Sequence, residues 1–174
     1  MKDTKKLAIS AMTVALSVAI MALGALVEAL DLSVCMLASL LIVVIYIEMG
    51  SPHVWLIWLA TSLAAWLVFP GSVIWLEYLF IFGVYPILKA YIERLPRRAW
   101  LPIKLAFVNS VTWLLIFLVD LVLGFDFFGT DILAMKVIIY VLVNVAFIAY
   151  DKLIELFARL YVAKYRKRFE RFFK

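Results

Sequence analysis

The stretch WLEYLFIFGVYPILK, residues 75–89, is almost wholly aromatic and aliphatic, yet it carries a carboxylate at Glu77 and ends in Lys89. It shows no alternation of polar and apolar residues. With its neighbours it forms an apolar run of about 20 residues, enough to cross a bilayer as a helix. A membrane-spanning strand needs only about 10 residues and alternates. Only helices and closed barrels satisfy their own backbone groups in lipid. The expected class is therefore all-α, a polytopic membrane protein.

The rest of the chain agrees. Of its 174 residues, 68% are hydrophobic, and the mean hydropathy is +1.10. A soluble domain is closer to half apolar, and no polar portion is left to form one. The reading is a single integral membrane domain, 1–174, with six spans at about 7–27, 33–49, 54–69, 73–92, 101–123 and 132–150. Gly50-Ser51-Pro52-His53 and Pro70-Gly71 close the second and third spans, and a kink is expected at Pro86 in the fourth. No internal repeat or flexible linker is evident.

Charge sets the expected orientation. With the N-terminus inside, 16 of the 17 Lys and Arg fall on or near the cytoplasmic side, including Lys2, Lys5, Lys6, Arg94, Arg97, Arg98, Lys104 and the tail. Only Lys136 falls toward the outside. Both termini are thus expected in the cytoplasm of a cell (plasma) membrane protein. A Lys-rich start before an apolar run also describes a cleavable leader, but the run exceeds the usual limit of about 15 residues. It is read as a span.

The stretch from Asp151 to Lys174 is expected to continue the sixth helix as a basic amphipathic cytoplasmic extension. Leu153, Phe157, Tyr161, Tyr165 and Phe169 recur every fourth residue, with Lys and Arg on the other faces. Such a helix suits anionic lipids of the inner leaflet, and a partner subunit is the other candidate. A nucleic-acid partner is not expected, since no soluble domain would present the basic patch. Cys35 lies in an apolar run and is read as a small buried or lipid-facing residue. Asn109 and Asn144, in the fifth and sixth spans, are candidates for a bond between helices.

The acids sit at the opposite end from the bases. Glu28, Asp31, Glu77, Asp120, Asp126 and Asp131 all fall toward the outside. An ionised carboxylate within a span costs roughly 2.5–3.5 kcal/mol on insertion scales, so it usually faces the interior or water and finds a partner. Glu77 and Asp120 therefore have two readings: structural pairing, with Lys136 one available cation, or a ligand site. Trp75 and Tyr78 flank Glu77, and Trp113 precedes Asp120 by about two turns. Aromatic rings and carboxylates at one depth suit a flat or cationic molecule.

No phosphate-binding glycine loop, HExxH or GxSxG is present, and His53 is alone. No metal or cofactor is expected. A lipid-modifying enzyme using Glu48, Lys89 and the basic loop has no supporting spacing, so the chain is expected not to be an enzyme.

The first span reads AISAMTVALSVAIMALGAL, residues 8–26, with Ala11, Ala15 and Ala19 on one nearly bare face. Such faces let another helix approach closely in lipid. A Lys-rich start, this alanine stripe and six spans in under 200 residues resemble the substrate-binding S-components of energy-coupling factor vitamin transporters. That resemblance implies a vitamin-like ligand bound near the outer face. It also implies docking through Ala11, Ala15 and Ala19 onto a transmembrane coupling subunit driven by two ATPases. The LEYL stretch is similar to one in thiamine-binding members, where a Glu-Tyr pair contacts the cationic vitamin. By that likeness Glu77 and Tyr78 are the ligand contacts, with Asp120, Trp113 and Trp75 the further candidates from the residues themselves. The alternative is a non-catalytic scaffold subunit of a cell-envelope assembly of the rod-shape-determining type.

Overall fold

A computed structural model describes residues 3–123 and 133–166. Asp126, Asp131 and Phe169 lie outside the described residues. Every described element is helical, and six helices are long and apolar enough to cross a membrane. They are α1 (Asp3–Leu26), α2 (Asp31–Met49), α3 (Ser51–Val68), α4 (Ile74–Ile92), α5 (Arg97–Leu123) and α6 (Leu133–Leu160).

The helices outrun the expected spans at several ends. α1 starts four residues before Leu7, α3 three before Val54 and α5 four before Leu101. A helix leaving lipid keeps its backbone hydrogen bonds, so the polar boundary and the helix end need not coincide. At the sixth span the helix continues past Tyr150, as expected; it runs to Leu160 and goes on as a wide π turn over Tyr161–Tyr165.

The chain divides into two compact units, residues 1–88 with 153–174, and residues 89–152. In the first unit α1, α2 and α3 pack on one another, and the opening turn of α4 fits against all three. Its polarity suits an apolar solvent. Leu7, Met12 and Leu67 are each 71% exposed, whereas Ser17 and Thr61 are 0% exposed. Gly50, at φ +81°, supplies the left-handed backbone that turns α2 into α3.

The expected kink in α4 takes a specific form. The helix opens as Ile74–Glu77, widens into a π segment over Tyr78–Phe82 and restarts at Tyr85. A proline ring clashes with the carbonyl four residues back, and for Pro86 that carbonyl belongs to Phe82. In the wide turn the Gly83 N–H donates to the Tyr78 carbonyl at 2.7 Å instead of to Leu79. The Leu79 carbonyl accepts the indole N–H of Trp58 at 3.1 Å. A Cβ at Gly83 would stand 2.6 Å from the Trp58 ring and 2.8 Å from that of Tyr78. Glycine is what lets the tryptophan reach across.

After Lys152 the face turned inward follows the fourfold stripe only in part. Leu153 and Tyr165 are exposed, while Ile154 and Tyr161 are buried. Four residues rotate about 400°, so a strict fourfold repeat drifts roughly 40° per step and leaves the buried face. Phe157 stacks on Tyr161, and the Tyr161 hydroxyl donates to Glu48 at 3.3 Å. Arg166 approaches the same carboxylate at 3.6 Å. Part of the segment expected to lie on lipid thus packs against the end of α2.

In the second unit Asn109 and Asn144 exchange amide hydrogen bonds at 3.1 and 2.9 Å, as expected between helices. Each amide also donates to a carbonyl of its own helix at 2.8 Å.

Trp58→Phe is expected to lower stability by about 1 kcal/mol, the net worth of one hydrogen bond. Gly83→Ala should cost more, because it displaces the ring as well. Thermal unfolding in one detergent, with Trp58 quenching as a local reporter, checks the order.

Candidate functional site

In the first unit hydroxyls from three helices meet. Ser10 and Thr13 donate to carbonyls four residues back on α1, and Ser62 does so on α3. This is how membrane helices usually satisfy such groups. Ser17 and Thr61 do not back-bond. Both lie beside the Tyr78 hydroxyl, and all three side chains are buried with no hydrogen bond of normal geometry. Tyr78 itself is 0% exposed.

Glu77 stands next in sequence at the entry to the π segment, and its Oε2 is buried without a hydrogen-bond partner. Asp31 and Cys35, both from α2, lie within its electrostatic reach. The Cys35 thiol donates to the Ile74 carbonyl at 3.7 Å, fastening α2 to the start of α4. Cys35 is fully buried, as one of its two expected placements required. Gly24 lets this corner close, since a Cβ there would stand 2.5 Å from Val34 and 3.2 Å from the Asp31 carboxylate.

Of the sequence-derived site residues, Glu77, Tyr78 and Trp75 belong to the first unit. Trp75 is half-buried and meets Trp66 edge-on, with centroids 6.5 Å apart. Asp120 and Trp113 belong to the second unit. Asp120 is half-buried; Trp113 is 56% exposed and stacks on Phe117 at 6.3 Å. Ala11, Ala15 and Ala19 are all exposed along α1. Ala11 also lines a groove of about 500 Å³ between α1 and α3, together with Lys6, Ala60 and His53. His53 is not in a turn, as expected, but in the first turn of α3.

Sequence reasoning did not single out Ser17 and Thr61, and it missed a second polar centre altogether. In the second unit Lys89, Glu93, Lys104 and Asp151 form a closed ionic network. Lys89 contacts Glu93 at 2.8 Å and also bonds the Asp151 carboxylate. Lys104 contacts Glu93 at 3.0 Å and both Asp151 oxygens at 2.8 and 3.0 Å. Both lysines are buried. The i,i+4 spacing of Lys89 and Glu93 was a readable signal. Asp151 lies far away in sequence and gave none.

Family models, curated proteins and solved structures offer no match to this chain, so its chemistry is argued from its own residues.

The two centres differ in what they can do. The ionic network balances two positive with two negative charges and is internally satisfied. The Glu77 centre presents one buried carboxylate oxygen that can still accept, which suits an amine or a cation; the Tyr78, Ser17 and Thr61 hydroxyls lie within reach of one another.

Removing one member of a buried pair typically costs 3–5 kcal/mol. Asp151→Asn is therefore expected to destabilise by about that much, and adding Lys104→Met should recover part of the loss; chemical denaturation in detergent measures both. Burial raises the pKa of Glu93, but hydrogen bonds from Lys89 and Lys104 and their charges outweigh it, leaving it below its ordinary value. A depressed carboxylate stabilises the fold above its unfolded pKa, and that contribution is lost as pH falls through the folded value. Melting temperature should drop on acidification below the ordinary carboxylate range, and Glu93→Gln should flatten that drop.

Proposed function

We propose that the chain is the membrane-embedded substrate-capture subunit of an importer of the energy-coupling factor type. It takes a small vitamin-like molecule, cationic or aromatic, from the outer face of the plasma membrane, with both termini in the cytoplasm. The observation that carries this reading is the buried Oε2 of Glu77, which has no hydrogen-bond partner. Such a group costs about 1–3 kcal/mol when left unmade. A bound ammonium would donate to the Glu77 carboxylate where the protein does not. Glu77 would supply the counter-charge, and Tyr78, Ser17 and Thr61 would orient the ligand.

The exposed Ala11, Ala15 and Ala19 face supports the second half of the reading. A bare helix face admits a partner helix closely, and in lipid that packing is a main source of association. A transmembrane coupling subunit with its ATPases would dock there and supply the energy that this chain has no motif to harvest.

Glu77→Gln should weaken binding of a cationic ligand at least tenfold while the protein still folds. Native mass spectrometry of the purified chain, followed by titration of whatever molecule it retains, measures this. Ala15→Trp should abolish co-purification of a coupling subunit and leave ligand affinity unchanged. Unchanged affinity in an intact Glu77→Gln protein would oppose the site. Envelope enzymes co-purifying with a ligand-free chain would favour the scaffold reading.

A further inference from the structure

The groove of about 500 Å³ between α1 and α3 lies wholly in the first unit, and its size is within the roughly 300–1,000 Å³ usual for small-molecule sites. Lys6, Leu7 and Val14 line it from α1, and His53, Leu56 and Ala60 from α3. Short connections join α1 to α2 and α2 to α3, and the three pack on one another. Helices so joined run antiparallel, so α1 and α3 run the same way. Lys6 and His53 both stand in the opening turns of their helices. They therefore share one end of the groove, and Val14 and Ala60 share the other.

The two ends differ in chemistry. Lys6 brings a positive charge, and none of the ion pairs among the described residues involves it. The His53 Nδ1 is buried with no hydrogen-bond partner. α3 opens without a side-chain cap, so the positive end of its dipole adds to the same end. Ser10 also lines the groove, but its hydroxyl already donates to the Lys6 carbonyl at 2.8 Å. Beyond it the walls are apolar. From Lys6 to Val14 the groove follows about 12 Å of helix, which gives it a mean cross-section of roughly 40 Å², about half that of an α-helix ~10 Å across. It seats an extended chain and not a helix.

We propose that this groove binds an anionic phospholipid. Lys6 and the His53 ring hold its phosphate where α1 and α3 begin, and one acyl chain lies along Leu7, Val14, Leu56 and Ala60. Basic pockets between membrane helices take such headgroups. The apolar wall favours a lipid over a soluble phosphate ester, which would leave that wall uncovered. Under the orientation expected from charge, the lipid comes from the inner leaflet. The groove takes in Ala11 of the alanine face but neither Ala15 nor Ala19. The lipid is separate from any molecule captured at Glu77, and the proposal does not rest on that capture.

The test uses the full chain, delipidated in an uncharged detergent and titrated with phosphatidylglycerol or phosphatidylcholine of identical acyl chains. Native mass spectrometry measures the affinity of the first lipid bound. One cation near an anionic surface is worth about 1 kcal/mol, so phosphatidylglycerol should bind about fivefold more tightly or better. The double variant Lys6→Ala, His53→Ala should remove that preference. Lys5→Ala, an exposed neighbour outside the groove, should retain it. Ala60→Trp, which fills the apolar part, should weaken both lipids alike. Phosphatidylglycerol with a photoreactive group midway along one acyl chain should label α1 near Val14 and α3 near Ala60. Survival of the preference in the double variant would overturn the proposal, as would an equal loss in Lys5→Ala or labelling confined to other helices. Displacement of the lipid by glycerol phosphate at matched concentration would overturn it in favour of a soluble phosphate ester.

Discussion

A polar side chain inside a helix packed in lipid has no bulk water to fall back on. It must bond to its own backbone, to another helix or to something that is not protein. That constraint organises this chain. Ser10, Thr13 and Ser62 take the first course and bond their own helices. Asn109 and Asn144 take the second, and Lys89, Glu93, Lys104 and Asp151 do so with full charges. Ser17, Thr61 and Tyr78 turn their hydroxyls toward one another, and the Glu77 Oε2 takes neither course.

The contrast between the two units carries the functional argument. In the second, the charges of Lys89, Glu93, Lys104 and Asp151 cancel, and the geometry resembles a structural clamp joining the end of α4 to α5 and α6. In the first, the π segment of α4 places Tyr78 against α1 and α3, and Trp58 holds that segment open through the Leu79 carbonyl. π turns inside α-helices occur frequently at functional sites. Here the distortion follows from Pro86 and Gly83, and its effect is to bring an acid and a phenol to the interior together.

Much of the fold was legible in the chain. Six apolar runs gave six helices, because the length needed to cross lipid leaves little freedom. The helix ends were less legible. Lys5, Lys6, Arg97 and Arg98 are polar and still helical, since hydrogen bonding and not solvent preference ends a helix. The site was half legible. Glu77 and Tyr78 stood out because an acid among aromatics is costly. Ser17 and Thr61 did not, because hydroxyls are ordinary in such helices. Only the packing reveals which of them abandon their own backbone. Lys89 and Lys104 were counted only for their sign, and their burial beside Glu93 and Asp151 was not legible.

The most direct measurement is an experimental map of the purified chain, without added ligand, at a resolution that shows ordered small molecules. The account predicts non-protein density within hydrogen-bond distance of the Glu77 carboxylate and the Tyr78 hydroxyl. Apolar side chains closed tightly over that carboxylate, with no such density, would contradict it.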